Sequence, residues 1–183
     1  MSQIVVVDCQ NDFISGSLAC GNADNAVEFI KEYVNSNSDV ELFYTADFHP
    51  KSHMSFEENG GTWAVHCVEN TNGSELSKVF DGISNERLVP NVDNVFLKGR
   101  DKDLEEYSAI AAINNKGVKM LELLGDEVIV VGIASEFCVR ETVLDLLKEG
   151  KRVTVFKDAL GYVNEENHIA NLDELEKMGV KII

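Results

Sequence analysis

Residues 128–140 read Val128-Ile129-Val130-Val131-Gly132-Ile133-Ala134-Ser135-Glu136-Phe137-Cys138-Val139-Arg140, and the fold class follows from the change of period inside that stretch. Its first four residues are apolar and β-branched without alternation, as in a strand buried on both faces of a parallel sheet. Beyond the glycine, Val139, Val143, Leu146 and Leu147 form a helical stripe, and Gly150 stands where a C-terminal cap belongs. Ser135 is placed to N-cap a helix beginning at Glu136. The unit is therefore strand, turn and helix, with Cys138 in the first helical turn.

Similar apolar runs occupy residues 4–7, 40–45, 95–97, 153–156 and 180–183. Ala26, Phe29, Ile30, Tyr33 and Val34 make one further helical stripe, and residues 115–124 and 169–178 predict two more helices. Strand-helix alternation implies right-handed crossovers and a three-layer α/β/α fold around a mainly parallel sheet of about six strands. Residues 48–94 break the pattern, being rich in His, Gly, Asn and Ser with only a short helical signal at 75–80. Long connections of this kind are commonly functional. Ligands of open α/β sheets bind outside the carboxyl ends of the strands, where Asp8, Asp47, Lys98 and the 133–138 turn all fall.

Composition narrows the ligand. The 183 residues, 44% hydrophobic and 26% charged, predict one globular domain over residues 1–183. With 32 acidic against 16 basic residues the formal charge is −16, so the surface repels nucleic acid and anionic membrane and the expected partner is a small neutral molecule. No apolar run reaches membrane-spanning length, and Met1 is not followed by a targeting pattern. Cys9, Cys20, Cys67 and Cys138 lack CxxC spacing and are expected to be free thiols in a reducing cytoplasm. The periodicity marks no interface, so any homo-oligomer contact is expected on a less charged patch.

The strand-end residues suggest chemistry. For Cys138, the positive end of the helix and a nearby Lys98 would favour the thiolate, and backbone amides in the same turn could bind an oxyanion. The other three cysteines read as packed thiols. Asp8, directly after an apolar run, is the better general base, and Asp12 reads as a turn cap. Lys98 taken alone would be a solvated strand end. Asp47, His49, His53 and His66 combine carboxylate and imidazole donors suited to one divalent ion, Zn²⁺ first, with Mn²⁺ or Fe²⁺ as alternatives. His168 reads as a surface residue.

The motifs Asp8-x-Gln10-Asn11-Asp12-Phe13, Asp47-x-His49-Pro-x-x-His53-x-Ser-Phe, Trp63-x-x-His66-Cys-Val-x-x-Thr-x-Gly, Lys98-Gly, Tyr107-Ser-Ala and Gly132-Ile-Ala-Ser-x-x-Cys138-Val-x-x-Thr occur in order along the chain. In this the sequence resembles the nicotinamidases of the isochorismatase-like cysteine hydrolases over essentially its full length. The resemblance implies an Asp8/Lys98/Cys138 triad that converts nicotinamide and water to nicotinate and ammonia through a thioester, in salvage of the pyridine ring for NAD synthesis. It implies an oxyanion hole from the amides of Ala134 and Cys138, and a cis peptide between Ile133 and Ala134. It further implies metal ligation by Asp47, His49 and His66, with His53 a ligand or a neighbour, and ring-pocket walls from Phe13, Trp63 and Tyr107. Two features depart from the pattern or lie outside it: Ala64 replaces the usual proline before His66, and residues 100–106 are highly charged. Other readings are a related amidase acting on a carbamoyl or ureido substrate without a metal, isochorismatase itself, and a noncatalytic metal-binding protein of the same fold.

Overall fold

The computed structural model describes residues 1–37 and 39–183. Six strands, β1 (Ser2–Val7), β2 (Val40–Asp47), β3 (Val95–Lys98), β4 (Glu127–Gly132), β5 (Arg152–Leu160) and β6 (Lys181–Ile182), form one sheet in the order β3-β2-β1-β4-β5-β6. Every pairing in it is parallel. Each apolar run read from the sequence became a strand.

Burial on both faces explains why those runs do not alternate. Ile4, Val6, Leu42 and Tyr44 point into one hydrophobic cluster, which Ala26, Ile30 and Val34 of helix α2 (Ala23–Ser36) cover. Val5, Val7, Phe43, Val128 and Val130 point into the other, closed by Val143 and Leu146 of α3 (Arg140–Lys148) and by Leu175 of α4 (Glu165–Lys177). Full burial of each such side chain contributes about 1.5–3 kcal/mol, so both faces must be covered and the three-layer arrangement follows. A short helix α1 (Asn11–Ile14) follows β1 directly. Among the described residues no helix is long and apolar enough to cross a membrane.

Chain direction sets the position of the site. The chain runs outward from β1 to β3, returns to lay β4 beside β1, and runs outward again, so the topology reverses between β1 and β4. That switch point is where a crevice opens at the carboxyl ends. Gly132, at φ +118°, pairs with Val7 there, and any side chain at this position would strike the Val7 carbonyl. A glycine is required for β4 to turn off so close to β1.

Three local readings change. Residues 115–124 do not make a regular helix. The Asn114 side chain accepts from the amides of Lys116 and Val118, at 3.0 and 3.1 Å, and Gly117 turns at φ +74°. This side chain-to-backbone turn outcompetes the helix, leaving a 3₁₀ turn at Met120–Leu123 that inserts Met120 into the core. The signal at 75–80 becomes a 3₁₀ turn, Lys78–Gly82, capped by Ser77. Finally, Ser135 makes no side-chain cap, because Ser135–Val139 winds as one wide π-helical turn leading into α3. Such turns are frequent at functional sites.

Candidate active site

β1 and β2 position the carboxylates, β3 the ammonium. Asp8 follows β1 in a left-handed conformation, φ 45°, held by its amide donating to the Thr45 carbonyl at 3.1 Å. Thr45 Oγ1 also donates to Asp8 Oδ1 at 2.7 Å. Across β2 and β3 the register sets Asp47 opposite Lys98, and Lys98 Nζ lies 2.6 Å from Asp47 Oδ1 and 2.9 Å from Asp8 Oδ2. The same ammonium donates to the Glu106 carbonyl at 3.1 Å and stands 3.5 Å from Cys138 Sγ. Asp8 Oδ2 is buried and has the Lys98 ammonium beside it at 2.9 Å, without an aligned hydrogen-bond donor. Ligating atoms of Asp8, Asp47 and Cys138 all lie within 4.8 Å of one another.

Electrostatics assign protonation states. Burial alone would strip Lys98 of its charge, but the Asp47 and Asp8 carboxylates outweigh it and hold the ammonium well above the usual lysine range. Burial likewise opposes charge on Asp47, yet Lys98, then His49, hold it below the usual carboxylate range. For Asp8 burial wins over Lys98, and Asp47 adds to it, so its carboxyl is pushed up toward basicity. Burial also pushes the Cys138 thiol well above its ordinary value, against the pull of Lys98. Burial and the neighbouring carboxylates thus oppose the thiolate expected from the helix end and the lysine. Two carboxylates already face one ammonium, and a thiolate would add a further negative charge at a buried position.

Beside this cluster, ligating atoms of the buried Asp47, His49 and His66 converge within 4.8 Å. His49 Nδ1–H donates to the Gly99 carbonyl at 2.7 Å, which leaves Nε2 on the side of Asp47, 3.5 Å from Oδ2. His66 Nδ1–H donates to the Ala64 carbonyl at 2.8 Å, and Asp12 Oδ2 accepts from the next amide, Cys67 N, at 2.7 Å. These two bonds fix His66 without the proline that Ala64 replaces. Carbonyl partners of this kind orient imidazoles for metal binding, and burial lowers the pKa of His66 toward the neutral form a ligand needs. Gly99, at φ +65°, is constrained as well, since a side chain there would strike the His49 ring. The donor set suits a divalent ion. His53 stands apart from it: its ring lies 4.0 Å from that of His49, tilted by 35°, but Nδ1 bonds Ser55 Oγ at 2.7 Å and Nε2 bonds the Leu104 carbonyl at 3.1 Å.

Both clusters open into one cavity of about 210 Å³, equal to about seven waters of bulk liquid and so sized for a small ring bearing one substituent. Phe13, Trp63 and Tyr107 line it, as do Ala134 and Cys138. Trp63 Nε1 donates to Tyr107 Oη at 2.9 Å, tying two walls together. The Ile133-Ala134 peptide is cis.

Several contributors went unread in the sequence. Phe137 meets Trp63 edge-on at 5.0 Å between ring centres and completes the aromatic wall; its signal was its place beside Cys138. Thr45 had none beyond standing near the end of β2. Gln10 bridges the strands, donating to the Asp47 carbonyl at 2.7 Å and accepting from the Asp47 amide at 2.8 Å. The charged stretch 100–106 divides: residues 100–104 are exposed, Glu105 lines the cavity, and Glu106 Oε2 accepts from Gly99 N at 3.0 Å. All four cysteines are free, and burial pushes Cys20, also on the cavity wall, up to about 12.

Comparison with known proteins agrees with this geometry. The chain is 30% identical to the nicotinamidase/pyrazinamidase of Mycobacterium tuberculosis, an alignment covering all of this chain and 98% of that one. The fold superposes with a TM-score of 0.83 on a pyrazinamidase of Pyrococcus horikoshii solved in complex with zinc, 32% identical, covering 100% of this chain and 98% of the other. It superposes at 0.85 on PnC1 from L. infantum in complex with nicotinate, 30% identical, covering 100% and 92%. The isochorismatase domain model matches residues 2–183. By that match and by these full-length identities, the chain belongs to the isochorismatase domain family.

Proposed function

We propose that the protein, as a single domain over residues 1–183, is a metal-dependent cysteine amidohydrolase that converts nicotinamide to nicotinate and ammonia. The observation that carries the reading is Lys98 Nζ, 2.9 Å from Asp8 and 3.5 Å from Cys138 Sγ, at a small aromatic cavity that also presents Asp47 and His66. The family and the nicotinamidase relatives support the same activity.

In this reading the resting Cys138 is a thiol. As its sulfur attacks the carboxamide carbon, the proton passes to Asp8 Oδ2, the buried oxygen without an aligned donor, so the thiolate is never held free at energetic cost. The amides of Ala134 and Cys138 stabilise the oxyanion. Asp8 then delivers the proton to the departing nitrogen, and ammonia leaves a thioester. A water that gives its proton to Asp8 hydrolyses the thioester, releasing nicotinate and returning the proton to sulfur. Lys98 keeps the two carboxylates and the reacting sulfur compensated through each transfer. Phe13, Trp63, Tyr107 and Phe137 sandwich the ring. Asp47, His49 and His66 would hold the divalent ion, zinc in our reading, with His53 as a neighbour bracing His49; the ion would supply a positive centre for the pyridine nitrogen.

The test is ammonia release from nicotinamide by the protein as isolated, after chelation, and after adding back Zn²⁺, Mn²⁺ or Fe²⁺. Turnover lost on chelation and restored by metal is the expected result. Absence of turnover under every metal would overturn the substrate, and chelator-resistant turnover would remove the metal from the reaction.

A further inference from the structure

The inner face of helix α4 is part apolar and part polar. It buries Asn171 at 4% beside the core residue Leu175, while Ile169 is exposed at 56%. The reason lies in what its inner face meets. His168, Asn171 and Glu174, spaced i, i+3 and i+6, share one side of the helix, and all three bond residues flanking Cys138. Asn171 Nδ2 donates to the Ser135 carbonyl at 2.8 Å and approaches Ser135 Oγ at 3.3 Å. His168 Nδ1 lies 2.7 Å from Ser135 Oγ, and its ring stacks on Tyr162 at 4.8 Å and 22°. Arg140, just beyond the nucleophile, donates to Asn171 Oδ1 at 2.6 Å and pairs with Glu174 at 2.8 Å. From the other side, Glu136 Oε1 accepts the amides of Val163 and Asn164, at 2.9 and 2.7 Å, where the chain enters α4.

The Ser135 hydroxyl has one proton to give and two lone pairs. Asn171 supplies a donor to one lone pair, and a hydroxyl proton given to His168 Nδ1 would pair the rest of the group, with the imidazole as a neutral acceptor. Ser135 itself is fully buried, and its amide is committed to the Gly161 carbonyl at 2.8 Å. Its carbonyl also accepts the Arg140 amide within the turn, whereas its hydroxyl is met by His168 and Asn171 of α4.

We propose that His168 is a positioning residue for the nucleophile: with Asn171 it fixes the Ser135–Val139 turn from behind, so that Cys138 meets Asp8 and the substrate carbon at reacting distance. This rests on the reading of Cys138 as nucleophile. Neither His168 nor Ser135 lines the cavity or belongs to the metal-binding cluster, so their loss acts through the turn, chiefly on the placement of Cys138 and to a lesser degree on the ring wall at Phe137.

The experiment measures kcat and KM for nicotinamide and bound metal in wild type, Ser135→Ala, His168→Leu, His168→Asn and the Ser135→Ala/His168→Leu double variant. Amide exchange at residues 135–139 is followed in parallel. Misplacement by about 1 Å can reduce rate about 10²-fold; we expect His168→Leu to lower kcat by about ten- to a hundredfold, with a smaller change in KM through Phe137 and metal content unchanged. Asn, whose side-chain oxygen can take the place of Nδ1, should restore most of the loss, and the double variant should be no worse than the more damaged single one. Exchange in the turn should quicken in His168→Leu and recover in His168→Asn. The proposal is overturned if kcat of His168→Leu stays within about twofold of wild type, if Asn fails to rescue it, or if the two single losses multiply in the double variant. Should wild type itself show no turnover of nicotinamide, the mechanistic reading fails on its own, and exchange in the turn alone decides the clamp: unchanged exchange refutes it.

Discussion

The carboxyl ends of the strands and the long connection of residues 48–94 supply opposite kinds of parts to one cavity. Asp8, Asp47 and Lys98 sit on or directly after strands whose pairing register sets their separations, as when β2 and β3 place Asp47 opposite Lys98. His66 comes from irregular chain and owes its aim to single bonds, its own to the Ala64 carbonyl and that of Cys67 N to Asp12. In the proposed reaction the strand ends thus hold Asp8, which takes the proton, and Lys98, which balances its charge, where small errors in distance change rates. Asp47 is shared with the ion site. The connection holds groups suited to gripping a ring and an ion, a task that tolerates more movement. Perturbing the first region should change kcat and stability; perturbing the second should change metal affinity and KM.

Asp8→Asn tests this most severely. It removes the proton acceptor while keeping the shape, and kcat should fall by about 10²–10⁴-fold with metal content unchanged, as ammonia release and elemental analysis would show. Lys98→Met should be the largest lesion in stability, since it leaves Asp8 and Asp47 buried and facing each other uncompensated. Breaking a buried pair in this way typically loses about 3–5 kcal/mol, readable in denaturant unfolding. A wild-type midpoint would mean that strand register, not charge balance, holds the cluster.

Within the connection the two neighbouring imidazoles should separate. His66→Ala should lower metal affinity by about 10²-fold or more and His53→Gln by less than about tenfold, measured by competition with a chelating dye. Equal losses would make His53 a ligand despite its bonds to Ser55 and Leu104. The mildest change belongs at the strand end: Thr45→Val removes the 2.7 Å bond to Asp8 Oδ1, and a hydrogen bond to a charged group contributes about 1.5–3 kcal/mol. We expect kcat to drop roughly tenfold or more with KM for nicotinamide unchanged. A rise in KM alone would move Thr45 into the binding half of the site.

The same contrast governs what could be read in the sequence. Strands buried on both faces leave short runs of Val, Ile and Leu that a reader can find, and residues at their ends, Asp8, Asp47 and Lys98, could be nominated from position alone. Residues 48–94 leave no such trace, and the separate parts of His53 and His66 depend on hydrogen bonds to carbonyls that sequence spacing does not encode. Donor types and spacing grouped them with Asp47 and His49, and the resemblance to a known family added that His53 is a ligand or a neighbour. The expected helix at 115–124 failed because a side chain-to-backbone turn at Asn114 competes locally with the helix, and helical periodicity does not register such competition. His168 looked like surface because its partner, Ser135, is 33 residues away and was assigned to a cap. The burial that opposes charge on Cys138 was not legible for a related reason: helix end and lysine are visible in sequence, whereas complete burial beside two carboxylates is a property of the folded site.

The central claim is that Cys138, served by Asp8, opens the amide. Its most direct measurement is ammonia release from nicotinamide by metal-loaded wild type and metal-loaded Cys138→Ala, with equal metal content established first. The account predicts turnover by wild type and a loss of about 10³-fold or more in the variant. Comparable turnover in both would place the chemistry elsewhere in the cavity and contradict the covalent mechanism.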